Sequence, residues 1–529
     1  MVAGEAVPVA TETPQQEEEQ HSGREYAIAI LPLFPQKGED ARDEKEEAEQ
    51  DEERGLLSDE HSQQPPKQYK QSLKLASLSA KDAMDVDEEA MKKEEGEDEE
   101  EMEMRKWWLT KGGWKKARME LWLLLRLSLP LLVADTARYI MFITDTAFLG
   151  HLGRTEMAAA ALGGVWADCT LYFGVGFVMA MDTLVAQAEG AKNHRMIGLT
   201  FGVSILFNFL VSLPIGLAWW FADVALIIGG IPENIALLAA SFARYQILGL
   251  FPHLVYRAII RYLLGQEITM PSIVTNWIGV AANFGLNWIL IKGGFGWSGL
   301  GFIGAPLATS LSRILCPILL WGYVVLRGYH KKTWQGWTIR DVFEPKLVWT
   351  YAKLGLAGGF TLAFEVSGYQ VITFLAGKLG EEVIDAHVVA QQVLWISFLI
   401  PLTLNLGAAT RVGKYMGENK PSEARFISFI CLAFTAVAML FNGSVMVLAR
   451  HWLVLIFTSD PAITSLAATL ILWAAAITFF DGQVVVSGGI MRGIGKPLPG
   501  TILTFVGYYV VSLIIGTLLA FKTDCGWLV

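Results

Sequence analysis

The sequence predicts an all-α integral membrane protein. It is expected to be a two-lobe bundle of six-helix repeats, with 11 transmembrane helices present and the twelfth apparently missing. Three observations predict this. Hydrophobic residues make up 53% of the chain, 18 residues are tryptophan and the mean hydropathy is +0.39; these values are foreign to soluble globular chains and ordinary for polytopic membrane proteins. The second observation is a succession of long apolar runs, and the third is an internal duplication.

The beginning of the chain stands apart. Most of the acid behind the net charge of −10 lies in the first 105 residues, in runs such as "DEKEEAEQDEER" and "EEGEDEEEMEM". So few apolar residues cannot offset the entropy of ordering, and residues 1–105 are expected to be an acidic, disordered cytoplasmic tail. The tail has no apolar h-region and is therefore not a signal peptide. The match "ERGLL" after Glu52 fits an acidic dileucine sorting signal, a pattern that glutamate-rich tails generate readily.

The apolar runs begin at Leu121. They cover 121–147, 157–181, 196–221, 236–264, 271–292, 300–326, 347–376, 384–408, 426–449, 462–490 and 498–521. Each is long enough to cross a hydrocarbon core about 30 Å thick. They should be helices, because an open strand in lipid leaves its backbone groups unpaired. The first six runs form an amino-terminal lobe over 106–326, a cytoplasmic loop covers 327–346, and a carboxyl-terminal lobe covers 347–529. Lysine and arginine set the orientation: "RKWWLTKGGWKKAR", "RGYHKKTWQGWTIR" and "TRVGKYMGENKPSEAR" are basic, while loops of the other parity carry isolated charges. The amino terminus and the loop between the lobes should face the cytoplasm. Trp107, Trp108, Trp114 and Trp122 fit an interfacial belt.

The duplication is visible as "GHLGRTEMAAAALGG" from Gly150 against "GKLGEEVIDAHVVAQ" from Gly377. The same offset of 227 residues superposes Thr183 on Thr410 and Gly190 on Gly417. "RYLLGQEITMPSIV" likewise finds a counterpart in "RGIGKPLPGTIL". Duplicated six-helix units in one orientation are a transporter architecture with a substrate site between the halves. A second half built like the first calls for a twelfth helix, and the sequence stops at "CGWLV" where that helix would begin; a truncated carboxyl end is expected. Cys169, Cys316, Cys431 and Cys525 are scattered singly, as are the eight histidines, so neither a redox motif nor a metal site is expected.

Several separated segments carry a family resemblance from about Leu121 to the last residue: "PLLVADTARYIMFITDTAFLGHLG", "MDTLVAQAEGA", "ANFGLNWILI", "GAPLATSLSR", "AHVVAQQ", "RVGKYMGEN" and "DGQVVVSGGIMRGIG". In this order and spacing the chain resembles the multidrug and toxic compound extrusion (MATE) transporters, specifically their eukaryotic branch. The resemblance implies a twelve-helix fold of two six-helix lobes. It also implies export of organic substrates against inward flow of protons or sodium.

Single carboxylates within apolar runs are the first site candidates. A charge near the bilayer centre costs about 2.5–3.5 kcal/mol on insertion scales, so such groups usually face a cavity or a partner. Glu365 lies within "FTLAFEVSGYQVITFLAG" and matches the glutamate of the family's seventh helix; Asp481, in "AAAITFFDGQVVVSGG", corresponds to its acidic residue in the tenth. The two are expected to face each other, share protons and titrate as a unit. The alternative for each is a structural acid bonded to a neighbouring helix. In the first half Asp145 matches the first-helix aspartate of prokaryotic members. Asn283 and Asn287 match that lobe's polar cluster, although an aspartate is frequent in the family where Asn287 stands; ordinary interhelical hydrogen bonding is the alternative for the asparagines.

Asp168 departs from the family and is a candidate for cation selectivity, with Arg313 either pairing with it or snorkelling. Asp135 and Arg138, three apart, are expected to neutralise each other. His387 is expected to pack, and Asp182 and Arg261 to act as gate or loop anchors. Pro130 matches the proline about which the family's first helix bends. In the seventh helix the family's proline is replaced by Ala357, and Gly358 and Gly359 after it are candidate hinge positions.

The resulting expectation is a secondary active antiporter. It would export organic cations, xenobiotics or secondary metabolites in exchange for protons or sodium by alternating access. Small organic cations and the lipid bilayer are its expected partners, with no nucleic acid, no metal and no cofactor beyond the coupling ion, and a monomer is expected. Its place would be the plasma or vacuolar membrane. A lipid-linked sugar flippase of related architecture is the alternative; it calls for several cavity arginines in the first lobe, hinted at by Arg138 and Arg244. An intramembrane enzyme needs a nucleophile or histidine dyad, and His253 and His387 lack that setting.

Overall fold

A computed structural model of the chain describes residues 110–522 except 295, 335–337 and 459. The acidic tail, the match after Glu52, Trp107, Trp108 and Cys525 lie outside the described residues. By its internal contacts the chain divides after Met119. In the first unit the described residues open helix α1, where the Gly113 amide donates to Thr110 Oγ1 at 3.2 Å.

All named elements are helical. In chain order they are α1 (Lys111–Gly150), α2 (Arg154–Val178), α3 (Ala180–Gly190), α4 (His194–Trp220), α5 (Ala222–Ile228), α6 (Glu233–Gly265), α7 (Met270–Asn287) and α8 (Gly304–Arg327). After them come α9 (Ile339–Val342), α10 (Pro345–Gly377), α11 (Glu381–Gly417), α12 (Pro421–Leu455), α13 (Pro461–Ile494), α14 (Leu498–Phe505) and α15 (Leu513–Lys522). Wider π-type turns extend α7 over Trp288–Lys292 and join α14 to α15 over Val506–Ser512. Among the described residues ten helical stretches are long and apolar enough to cross a membrane. Helix α1, with 40 residues, occupies the first predicted span.

Local chemistry sets the boundaries. Proline, whose missing amide costs nothing in a first helical turn, opens α10, α12 and α13. Asn193 caps α4 by accepting from the Met196 amide at 3.0 Å, and Asp460 caps α13 by accepting from the Ala462 amide at 2.8 Å. Gly328 and Gly495, at φ 71° and 89°, end α8 and α13 in the left-handed conformation. The basic stretch after the eighth run is not all loop, as the sequence reading placed it: α11 continues through Arg411 and Lys414 to Gly417. Nothing there breaks a helix before the turn at Asn419, which has φ 57°. The first half repeats this stop at Lys192, also φ 57°, one offset of 227 residues earlier.

Apolar packing surrounds a few anchored aromatic residues. Trp219 is fully buried and donates through Nε1 to Thr170 Oγ1 at 2.7 Å. Tyr351, also fully buried, donates to Ser204 Oγ at 2.9 Å and ties α10 to α4. Outward faces carry large apolar side chains such as Leu448 (82% exposed) and Phe441 (71%), a surface suited to lipid rather than water.

Two polar groups join the repeats. Asp182, in α3, forms ion pairs with Arg261 of α6, 3.1 Å from Nε, and with Arg492 of α13, 3.3 Å from Nε. Those arginines are the first residues of the matched segments "RYLLGQ" and "RGIGKP". Arg492 also donates to Asn405 Oδ1 at 2.5 Å, Thr183 donates to the Arg492 carbonyl at 2.5 Å and Gln187 to that of Gly493 at 3.0 Å. A second group joins Glu120 of α1, Glu267 of the α6–α7 turn and Arg411 of α11, with Arg411 donating at 2.7 Å to Glu120 and 2.9 Å to Glu267.

Candidate functional site

In the first half, α1, α7 and α8 bring their polar side chains to one carboxylate. Asn283 and Asn287 lie one turn apart on α7 and share a face. Their Nδ2 groups donate to Asp145 Oδ1 at 3.1 and 2.6 Å, and Thr309 Oγ1 of α8 donates to Asp145 Oδ2 at 2.9 Å. Both asparagines are fully buried, and Asn287 Oδ1 has no hydrogen-bond partner. An orphaned buried oxygen costs about 1–3 kcal/mol. Beside a carboxylate, it offers a second acceptor to a proton or a hard cation.

The structure thus gathers Asp145, Asn283 and Asn287, as the sequence reading expected, and adds Thr309. Its signal was faint: a threonine in an apolar helix usually bonds its own preceding turn, as Thr309 also does to Ala305 at 3.2 Å. One turn beyond it, Arg313 donates to Gln246 Oε1 of α6 at 3.0 Å. It interacts electrostatically with both Asp145 and Asp168, so the expected Asp168 partnership is one of field rather than a direct bond. Asp135 and Arg138 do pair directly. Arg244 lies elsewhere, bound to Asp223 at 2.7 Å and stacked over Trp220.

In the second half, Asp481 on α13 acts electrostatically on Glu365 of α10, as does Arg492, about three turns farther along α13. Both carboxylates are half-buried. Tyr369, one turn after Glu365, and Tyr508 of the turn after α14 complete the group; their rings meet edge to face at 5.5 Å. A Cβ on Gly368 would lie 3.0 Å from the Tyr508 ring, so this glycine lets the tyrosine lie against α10. Sequence reading missed both tyrosines, since aromatic residues in spans more often face lipid. His387 is held by Thr373 Oγ1 at 3.2 Å.

The hinge candidates have definite settings. Helix α1 passes through Pro130 without interruption, and α10 is continuous through Gly358 and Gly359. Both glycines are buried against α2: a methyl group on Gly358 would collide with the Gly176 carbonyl oxygen, and one on Gly359 would lie 3.0 Å from the Phe173 ring.

Comparison with known proteins places this arrangement. The profile of the MatE family matches the chain twice, over residues 130–289 and 359–518. "Multidrug and toxin extrusion protein 1" of Xenopus tropicalis is 31% identical over 425 residues, covering 78% of this chain and 70% of that protein. "Protein DETOXIFICATION 16" of Arabidopsis thaliana is 27% identical, covering 78% and 83%. Among solved structures, the eukaryotic MATE transporter AtDTX14 superposes with a TM-score of 0.72 at 22% identity, covering 78% of this chain and 91% of that one.

Proposed function

This chain belongs to the MatE family of multi-pass membrane transporters, and on that premise we propose that it is an antiporter exporting organic compounds in exchange for protons or sodium. Members of the family are transporters, not enzymes. Its curated relatives include proteins named for multidrug and toxin extrusion, which supports a xenobiotic or secondary metabolite as cargo.

The observation that carries the coupling is the pair Glu365 of α10 and Asp481 of α13, two acids within apolar helices, with the charge of Asp481 acting on Glu365. Like charges in low dielectric repel, so the pair favours holding a proton or a cation. A ligand shifts the inward and outward populations only by its differential affinity for them. A proton and a cationic substrate that compete for these carboxylates therefore drive their flows in opposite directions. The Asp145 cradle is a second ion-holding candidate, built from one acid and neutral amides. Pro130, Gly358 and Gly359 are the positions at which the reading places bending during alternating access. Tight packing of the two glycines on α2 means that bending there breaks that contact.

Purified protein in vesicles loaded with ethidium tests the reading. A pH gradient, acidic on the side the dye enters, is expected to accelerate efflux over vesicles without a gradient, or a sodium gradient is expected to do so in its place. Efflux indifferent to both gradients would refute antiport.

A further inference from the structure

Three arginines from three helices converge in the first half of the molecule: Arg138 of α1, Arg257 of α6 and Arg313 of α8. All three act electrostatically on His253 of α6 and on Tyr172 of α2, and all three are half-buried rather than sealed in the core. Such a gathering within spans is expensive, because each cation is costly at the bilayer centre and like charges repel.

The acids nearby do not account for all of it. Asp135 is bound to Arg138. Asp168 and Asp145 act on Arg313, which is further held by Gln246 at 3.0 Å. Arg257 is left over. Its hydrogen bond is a long one, 3.4 Å from Nε to His253 Nε2, and among the described residues no carboxylate lies within ion-pair distance of it; Asp135 reaches it only through the longer-range field. Arg138 Nε, buried, also has no hydrogen-bond partner. Arg257 thus has no carboxylate partner and Arg138 keeps one unmet N–H, and both act on Tyr172 and His253.

We propose that this cluster binds an anionic group of the transported compound, a carboxylate, sulfate or phosphate, with Arg257 as its principal contact and Arg138 as its second. Guanidinium forks match the planar or tetrahedral oxygens of such groups and remain charged at any physiological pH. Asp145 and Asp168 act on Arg313, so negative and positive groups lie in one neighbourhood, and a zwitterionic or acid-bearing organic compound suits it better than a simple cation. The inference rests on the exporter reading in taking this cluster to face the transported compound.

The test is binding of 5-carboxyfluorescein to detergent-purified full-length protein by fluorescence anisotropy, with no gradient and no transport required. Wild type is expected to bind it, Arg257→Gln to weaken binding at least tenfold, and Arg257→Lys to recover part of the loss. Ethidium binding is expected to stay within twofold of wild type in both variants. Displacement of the probe by inorganic pyrophosphate identifies a soluble anion as the ligand, and displacement by phosphatidic acid in mixed micelles alone identifies a lipid headgroup; either result supports the anion site. Absence of probe binding to wild type, or unchanged binding in Arg257→Gln, overturns it. Loss of both probes in Arg257→Gln and Arg257→Lys alike also overturns it, by assigning the residue a purely structural role. Failure of gradient-driven ethidium efflux with anion binding intact would sink the antiport reading and leave this site standing.

Discussion

Gly190 and Gly417 occupy equivalent places in the two repeats and each lies on the backbone of the other's helix. A methyl group on Gly190 would collide with the Lys414 carbonyl oxygen, and one on Gly417 with that of Gln187. Gln187 and Lys414 are themselves one repeat offset apart, so the contact is reciprocal, and only residues without a Cβ allow the ends of α3 and α11 to approach this closely. Overpacking against backbone that cannot rotate away costs about 1–3 kcal/mol or more. Gly190→Ala and Gly417→Ala are each expected to lower the thermal midpoint of the purified protein by similar amounts. A midpoint unchanged by either substitution would show that this contact is looser than described.

The Asp182 group leads to a larger effect. One carboxylate, 7% exposed, balances Arg261 and Arg492. Removing one partner of a buried ion pair costs about 3–5 kcal/mol, because the other is left charged and unpaired. Asp182→Asn is therefore expected to destabilise more than Asp223→Asn, whose pairing with Arg244 is only partly buried and serves a single arginine. Comparable losses of thermal midpoint in the two variants would contradict the burial argument.

At Asp145 the prediction concerns ions. Asn287→Asp places a second carboxylate where an amide now donates at 2.6 Å, and adjacent like charges favour uptake of a cation. Sodium is expected to raise the thermal midpoint of the variant more than that of wild type. An equal sodium response would mean that this cradle does not hold the ion.

Glu267 carries a pH dependence that stability measurements can read. Partial burial works against its charge, but Lys414 at 3.0 Å and Arg411 at 2.9 Å outweigh that and hold the carboxyl below its usual value of 4.5. A depressed native value means that the unfolded chain takes up the proton first as pH falls. The stabilisation is therefore complete above the usual glutamate value and is lost as pH drops through the depressed one. Glu267→Gln is expected to be less stable than wild type at neutral pH, with the difference shrinking in acid. A difference that is constant with pH would remove the ion pair from the account.

How much of this was legible in the sequence differs from residue to residue. Apolar runs placed the helices, because length in lipid leaves little choice of structure. The offset of 227 residues aligned Gly190 with Gly417 before their contact was seen. Asp145, Asn283 and Asn287 were grouped through family resemblance, and the i, i+4 spacing of the two asparagines on α7 agreed. Which helices adjoin was not legible: nothing in linear spacing says that Thr309 reaches Asp145, or that Arg492 reaches Asp182. Arg257 escaped notice because one arginine in a span reads as a snorkelling residue. Its meaning comes from Arg138 and Arg313, which arrive from helices far away in the chain. Gly358 and Gly359 read as flexible positions in sequence, whereas in three dimensions they are the surface on which α2 rests.

The central claim is that Glu365 alternates between proton and cargo. It is tested most directly by ethidium efflux from vesicles with an imposed pH gradient, comparing wild type with Glu365→Gln at matched protein content and thermal midpoint. The account predicts that the variant loses gradient-driven efflux, at least tenfold relative to wild type, while it remains folded. Unchanged, gradient-dependent efflux in Glu365→Gln would contradict it.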